Sequence, residues 1–337
     1  MMPTTSWERD HALLEAAEAN DGVAVLKLIR EGASLHAVGH DRNTALHFAA
    51  GSKTENCIAA LLLLRNGAAV NSLNSCEETP LMFACKTSKE ELVRVLLQAG
   101  VQQSSPDHRG FTPMFHAVLG GNCAIVKLLS RNQPSLVNQR ESSNNMTPLI
   151  LAAGHGKEAV VGALIACGAS LVDQDSFGDT ALHKATRSSA TSDECARVVE
   201  LLLEHGAPLN VKNGIDETPL LLATKDGNAD LVRALLDKGA DMQCTDRKGR
   251  TALDVAVALK NQSIVLMLLE HEDDWLCPYR AEAERSKRPR LEEDDTNTES
   301  RDSNDCDTRM KEEEEEEKVE EEEEEEGTTT EPDFGQD

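Results

Sequence analysis

TPLMFACKTSKEELVRVLLQAG, residues 79–100, reads as two short helices placed back to back. Thr79 stands before an apolar run as an N-cap, whose hydroxyl accepts a backbone N–H that the first helical turn leaves without a partner. Pro80 takes the first helical position, where a missing N–H costs nothing. Ala84 is small enough to let a neighbouring layer approach closely. The second run, ELVRVLLQAG at 91–100, sets Leu92, Val95 and Leu96 at helical spacing. Gly100 closes it, since glycine adopts φ > 0 without penalty.

The same phrase recurs along the chain. Its Thr stands at 44, 79, 112, 147, 180, 218 and 251, with gaps of 35, 33, 35, 33, 38 and 33. Pro113, Pro148 and Pro219 follow it as Pro80 does, and Ala49, Ala152 and Ala223 repeat the small residue. A second phrase, L-x-x-x-G-A, keeps step at 28–33, 63–68, 164–169, 202–207 and 235–240, with LLQAGV at 96–101 a near match. Each period therefore predicts two short antiparallel helices and a polar turn. Such a unit cannot bury its apolar face alone, so neighbours have to stack.

This pattern, with its period and its T-P-L-H-x-A phrase, resembles the ankyrin repeat family over residues 10–272. The resemblance implies an all-α solenoid of stacked helix pairs whose turn tips line one edge. HALLEAAEANDGVAVLKLIREGA, from His11, keeps the helix pair without the Thr-led turn, as a capping unit would. TALDVAVALKNQSIVLMLLEHEDD at 251–274 closes the array without a G-A exit, for eight helix pairs in all. The expected layout is a flexible N-terminus over 1–10, a capping pair over 11–43, seven Thr-led units over 44–274 and a disordered acidic tail over 275–337. Extra residues fall between helices at Ser52–Asn56 and Thr186–Asp193, and in the turn region at Pro134–Ser143.

Composition excludes several classes. Aromatic residues make up 3% of the chain, little for a compact enzyme core but suited to thin, closely packed helices. The nine cysteines include no C-x-x-C pair, which argues against a zinc ribbon, and their odd number argues against a disulfide framework. The start, MMPTTSWERD, is polar and acidic where a signal peptide needs an apolar core, and the longest apolar run, CIAALLLL at 57–64, is too short to cross a bilayer. The expectation is a soluble, intracellular protein. No phosphate loop, nucleophile elbow or metal-ligand spacing is found, so neither enzyme chemistry, cofactor nor metal is expected. His47 and His183 occupy the His position of the repeated phrase; the resemblance implies that they bond between neighbouring turns rather than act in catalysis. Met82, Phe115, Ile150, Leu221 and Asp254 stand there in the other units.

In ankyrin-like stacks, side chains on the tips usually contact the partner. Reading the residues just before each Thr gives mostly polar tips, with Phe111, Met146, Phe177 and Ile215 as apolar exceptions in four consecutive units. An apolar stripe of this kind marks an interaction surface. Arg109 joins it, and Arg247, Lys248 and Arg250 make the last tip basic. Nucleic acid is a poor match, because the body is net negative and lacks an aromatic–basic face.

Net charge is −26, and residues 271–337 hold 29 acidic against 9 basic residues. Within that tail, RSKRPR at 285–290 resembles a short nuclear import signal through Lys287, Arg288 and Arg290, with Pro289 favouring an extended form. The runs Glu312–Glu317 and Glu320–Glu326 repel themselves into disorder. Solubility alone, binding to basic proteins such as histones, and folding back on the basic tip are the three readings of those runs. The function expected from the sequence is a non-catalytic protein-protein interaction scaffold or adaptor, placed in the nucleus, the cytoplasm or both. An inhibitor of a transcription factor and a substrate adaptor of a ubiquitin ligase are the specific alternatives, and an enzyme with an unrecognised site is the alternative of a different class.

Overall fold

The structure, a computed structural model, describes residues 5–54, 56–187 and 192–271. The expected tail, with its basic cluster and Glu runs, lies outside the described residues, as do residues 188–191 of one insertion.

Among the described residues, eight helix pairs follow one another. They are α1 (Ser6–Glu18) with α2 (Gly22–Arg30), α3 (Ala45–Gly51) with α4 (Ile58–Arg65), α5 (Pro80–Lys86) with α6 (Glu90–Gln98), and α7 (Pro113–Gly120) with α8 (Cys123–Asn132). Then come α9 (Pro148–Gly154) with α10 (Glu158–Ala166), α11 (Ala181–Thr186) with α12 (Ser192–Glu204), α13 (Pro219–Lys225) with α14 (Ala229–Asp237), and α15 (Ala252–Ala258) with α16 (262–271). No strand is found among the described residues; Val38 and Thr44 make an isolated bridge.

The helices start where the repeated Thr places them. Thr79, Thr147, Thr180, Thr218 and Thr251 each accept, on Oγ1, the N–H of the residue three positions on, at 3.3–3.4 Å. Thr112 departs from this: its Oγ1 is buried without a hydrogen-bond partner. The exit glycines behave as expected, with φ of 86° at Gly32, 88° at Gly67 and 76° at Gly100.

The N-terminal boundary differs from the sequence reading, which keeps residues 1–10 flexible. Helix α1 begins at Ser6, because Thr5 and Glu8 form a capping box: Glu8 N–H donates to Thr5 Oγ1 at 3.3 Å and Thr5 N–H to Glu8 Oε2 at 2.8 Å. Two backbone donors are satisfied reciprocally, so the helix gains a turn. The insertion at Pro134–Ser143 also has structure, since Pro134–Asn138 winds into a 3-10 turn that buries Leu136 and Val137.

Each first helix packs on the first helix of the next unit, from α1 through to α15, and the second helices do the same from α2 to α14. The buried apolar residues consequently join into one cluster running from Leu13 to Leu268. No unit owns a closed core. Phe115, Leu63, Leu81, Leu96 and Leu129 are fully buried and hold adjacent layers together.

Candidate binding edge

The tips that connect the pairs are five-residue turns with a common construction. In most units an Asn or Asp stands five positions before the Thr, and its side-chain oxygen gathers two backbone N–H groups of its own turn. Asn74 does so for Cys76 and Glu78, Asp107 for Arg109 and Phe111, Asp175 for Phe177 and Asp179, Asn213 for Ile215 and Glu217, and Asp246 for Lys248 and Arg250, all at 2.8–3.1 Å. Glu141 reaches from six positions before its Thr and takes Ser143, Asn144 and Met146 with two oxygens. The sequence reading takes only the outward positions of each tip and misses these residues. Their constant distance from Thr is the signal that could have found them.

Two positions before the Thr the backbone is always left-handed. Gly110, Gly178 and Gly249 supply it in three tips, while Arg42, Glu77, Asn145 and Asp216 hold φ of 56–61°. At Gly178 a side chain is excluded twice over, since a Cβ there would lie 2.5 Å from Gly214 N.

Consecutive tips are tied to one another. Ser75 N–H donates to Asp41 O at 2.7 Å, His108 to Cys76 O at 3.0 Å, Ser176 to Asn144 O at 2.8 Å and Gly214 to Phe177 O at 2.7 Å. Ser143 Oγ joins Arg109 O at 3.2 Å, and the Arg247 guanidinium reaches Gly214 O. Behind them His47 and His183 lie buried. Each accepts a Thr N–H on Nδ1 at 3.2 Å, and each donates from Nε2 to a carbonyl of the next tip, Glu78 O at 3.0 Å or Glu217 O at 3.1 Å. The role implied by the resemblance is the one they play.

The four apolar tip residues do not form one exposed stripe. Phe111 is half-buried, stacked on Phe115 with ring centroids 5.0 Å apart, and Met146 also packs on the core. Arg109 lies over the Phe111 ring at 4.9 Å. Phe177 and Ile215 stay in the open, at 60% and 46% exposure. They flank a cleft of about 400 Å³ whose polar lining includes Asp179, Lys184, Arg187 and Asn213. Lys184 sits over the Phe177 ring at 5.3 Å and is held by Asp175 at 2.8 Å and Asp179 at 2.9 Å. These bonds to Lys184, with Asn213, keep the Asp179 carboxyl below its usual range even though burial alone would raise it.

The last tip is less basic than its sequence implies. Arg250 folds onto Asp246 through Nε at 3.0 Å and its terminal nitrogen at 2.7 Å, which lowers the Asp246 carboxyl to about 2. Arg247 turns to Asp216 and Gly214. Lys248 remains exposed.

One further cluster was not legible as a spacing. Ligand atoms of Glu78, Asp107 and His116 lie within 4.8 Å of one another. His116 stands one residue past the His position of the phrase, and its Nε2 meets Asp107 Oδ2 at 3.1 Å. Asp107 Oδ1 already holds its turn, and Arg109 Nε stands 3.9 Å from Oδ2. The cluster is therefore a partnered network that steadies the tip. His116 Nδ1 stays buried without a partner.

A family model described as ankyrin repeats (3 copies) matches residues 52–140, 131–213 and 189–276. The chain belongs to the ankyrin repeat family. Ankyrin repeats are a protein-protein interaction module, and no enzymatic family is indicated. Among curated proteins, 128 residues are 35% identical to neurogenic locus notch homolog protein 1 of Xenopus tropicalis and of Homo sapiens, covering 38% of this chain. A stretch of 122 residues is 33% identical to neurogenic locus notch homolog protein 2 of Homo sapiens, covering 36% of it. These stretches make up 5% of each relative's length, so the likeness is to a short segment of much longer proteins. No helix among the described residues is long and apolar enough to cross a membrane.

Proposed function

We propose that this chain is a non-catalytic adaptor that holds a protein partner along its tips, anchored at the Phe177–Ile215 cleft. The supporting observation is that, of the four apolar tip residues, these two alone are exposed large side chains outside the packed core, and both line one cavity. A partner's apolar side chain seated between them would bury both faces. Arg187 in the cleft lining offers a charge partner for a neighbouring carboxylate. Lys248 and Arg247 lie one tip further along and extend the same edge.

Once proximity labelling has named the partner, a titration against the Phe177→Ala, Ile215→Ala double variant tests the anchor. The double variant is expected to bind about ten- to hundredfold more weakly, as loss of two central apolar contacts requires, with its helical circular dichroism unchanged. Wild-type affinity in that variant would remove the cleft as the anchor.

The adaptor reading includes work in the nucleus as well as the cytoplasm, on the strength of Lys287, Arg288 and Arg290 in RSKRPR. Residues 280–292 fused to an inert reporter are expected to carry it into the nucleus, and Lys287→Ala with Arg288→Ala to abolish this. A reporter that stays diffuse before mutation would sink the import reading.

A further inference from the structure

At the N-terminal end of the array, remote in sequence from the Phe177–Ile215 cleft, lies a second cavity, of about 370 Å³, between α1 and the first tip. One wall is a single face of α1, with Trp7, Asp10, His11, Leu14, Glu15 and Glu18 at helical spacing. The other wall is the chain at 37–40 together with the Phe48 ring. Trp7 is 70% exposed and Val38 54%, a large apolar surface to leave in water. The charge is one-sided: three carboxylates line the cavity, and no lysine or arginine does. Asp10 spends one oxygen on Ser34 N–H at 2.7 Å, and Glu15 stands 3.7 Å from His11 Nδ1.

We infer that this cavity is a binding site for a lysine or arginine side chain presented by an extended segment of a partner protein. The chemistry on the two walls selects that class. A long apolar stem would lie on Trp7, Leu14 and Phe48, as the stems of basic side chains do when only their heads stay polar. The cationic head would sit among Asp10, Glu15 and Glu18, close to the electron-rich face of an indole. An anionic side chain would meet three like charges. A purely apolar one would strip water from carboxylates and return no partner to them. The size is that of a site for one side chain and its immediate neighbours. The inference does not depend on the Phe177–Ile215 anchor, whose lining carries Lys184 and Arg187 beside Asp179, whereas this cavity has carboxylates and no lysine or arginine.

The chain contains two tryptophans, Trp7 and Trp275, so tryptophan labelled with nitrogen-15 gives two indole signals, assigned with Trp275→Phe. The full chain is titrated with three capped tripeptides: acetyl-Leu-Lys-Leu-amide, the arginine analogue and the neutral norleucine analogue. The lysine and arginine peptides are expected to shift the Trp7 indole saturably, and the norleucine peptide to bind about tenfold more weakly. Glu15→Gln with Glu18→Gln, both exposed positions, should cost the cationic peptides about tenfold and leave the norleucine peptide unaffected. Phe177→Ala with Ile215→Ala should change none of these values. Equal binding of all three peptides, an unchanged affinity in the Glu15, Glu18 variant, or no saturable shift of Trp7 with any peptide would each overturn the inference.

Discussion

Phe115→Ala is expected to be the most damaging single truncation in the middle of the array, lowering stability by about 3–5 kcal/mol. Its ring is fully buried in α7, the helix that packs on both α5 and α9. A cavity there opens two interfaces at once, and in a stacked array neighbouring units have no separate core to fall back on. Phe111→Ala makes the informative comparison. Its stacking on Phe115 means that it too costs stability, by about 1 kcal/mol. Urea unfolding of the two variants measures both values. If Phe115→Ala moved the midpoint no further than Phe111→Ala, α7 would not be the shared layer described above.

Acidification through the histidine range is expected to have an effect of similar size. Burial pushes His47, His116 and His183 below their ordinary value of 6.5, against the raising influence of Glu78, Asp107 and Glu217 respectively. Geometry explains the direction at His47 and His183, where Nδ1 must stay unprotonated to accept a Thr N–H. The folded state thus binds fewer protons than the unfolded chain just below pH 6.5. Stability is complete above 6.5 and falls as pH drops beneath it, until each folded-state value is reached. The slope is at most about 1.4 kcal/mol per pH unit for each histidine. The depressed carboxyls Asp179, Asp246 and Asp254 act lower, since their contribution is lost only as pH falls below the usual 3.8. Leu221 and Ile150 fill the same position as His183 in other units, so His47→Leu with His183→Leu keeps a residue type that the stack accepts. That variant should lose most of the slope in melting temperature between neutrality and the carboxylate range. A slope identical to wild type would show that these histidines are not the groups titrating.

Much of the fold follows from short-range rules, and those are the parts that sequence reveals. A Thr that caps, a Pro that fits only the first turn and a Gly that leaves by a positive φ act within a few residues of themselves. Their spacing therefore locates helices without knowledge of packing. The start of α1 obeys the same kind of rule through Thr5 and Glu8, yet a polar, acidic beginning suggests a loose end when charge is weighed ahead of capping. The binding edge was harder to read, because exposure there depends on where a ring turns. Phe111 stands one residue before its Thr, and Phe177 three before its own. Only Phe111 has an aromatic four residues on, at Phe115, to fold against. The last tip poses the same problem in charge. Arg250 and Arg247 look available in the sequence, and only the distances to Asp246 and Asp216 show them engaged.

The ties between consecutive tips make the edge a comb in which each tooth is bonded to the next. A ruler with identical marks cannot say where along it an object lies. A partner that recognised only the backbone turns could settle in several frames, each one unit apart. Such degeneracy would raise its occupancy by a statistical factor while blurring its position. The unlike side chains on the teeth, an open phenyl ring here and an engaged arginine there, break that translational symmetry. In this protein the repeat supplies the scale and its departures from repetition supply the zero mark.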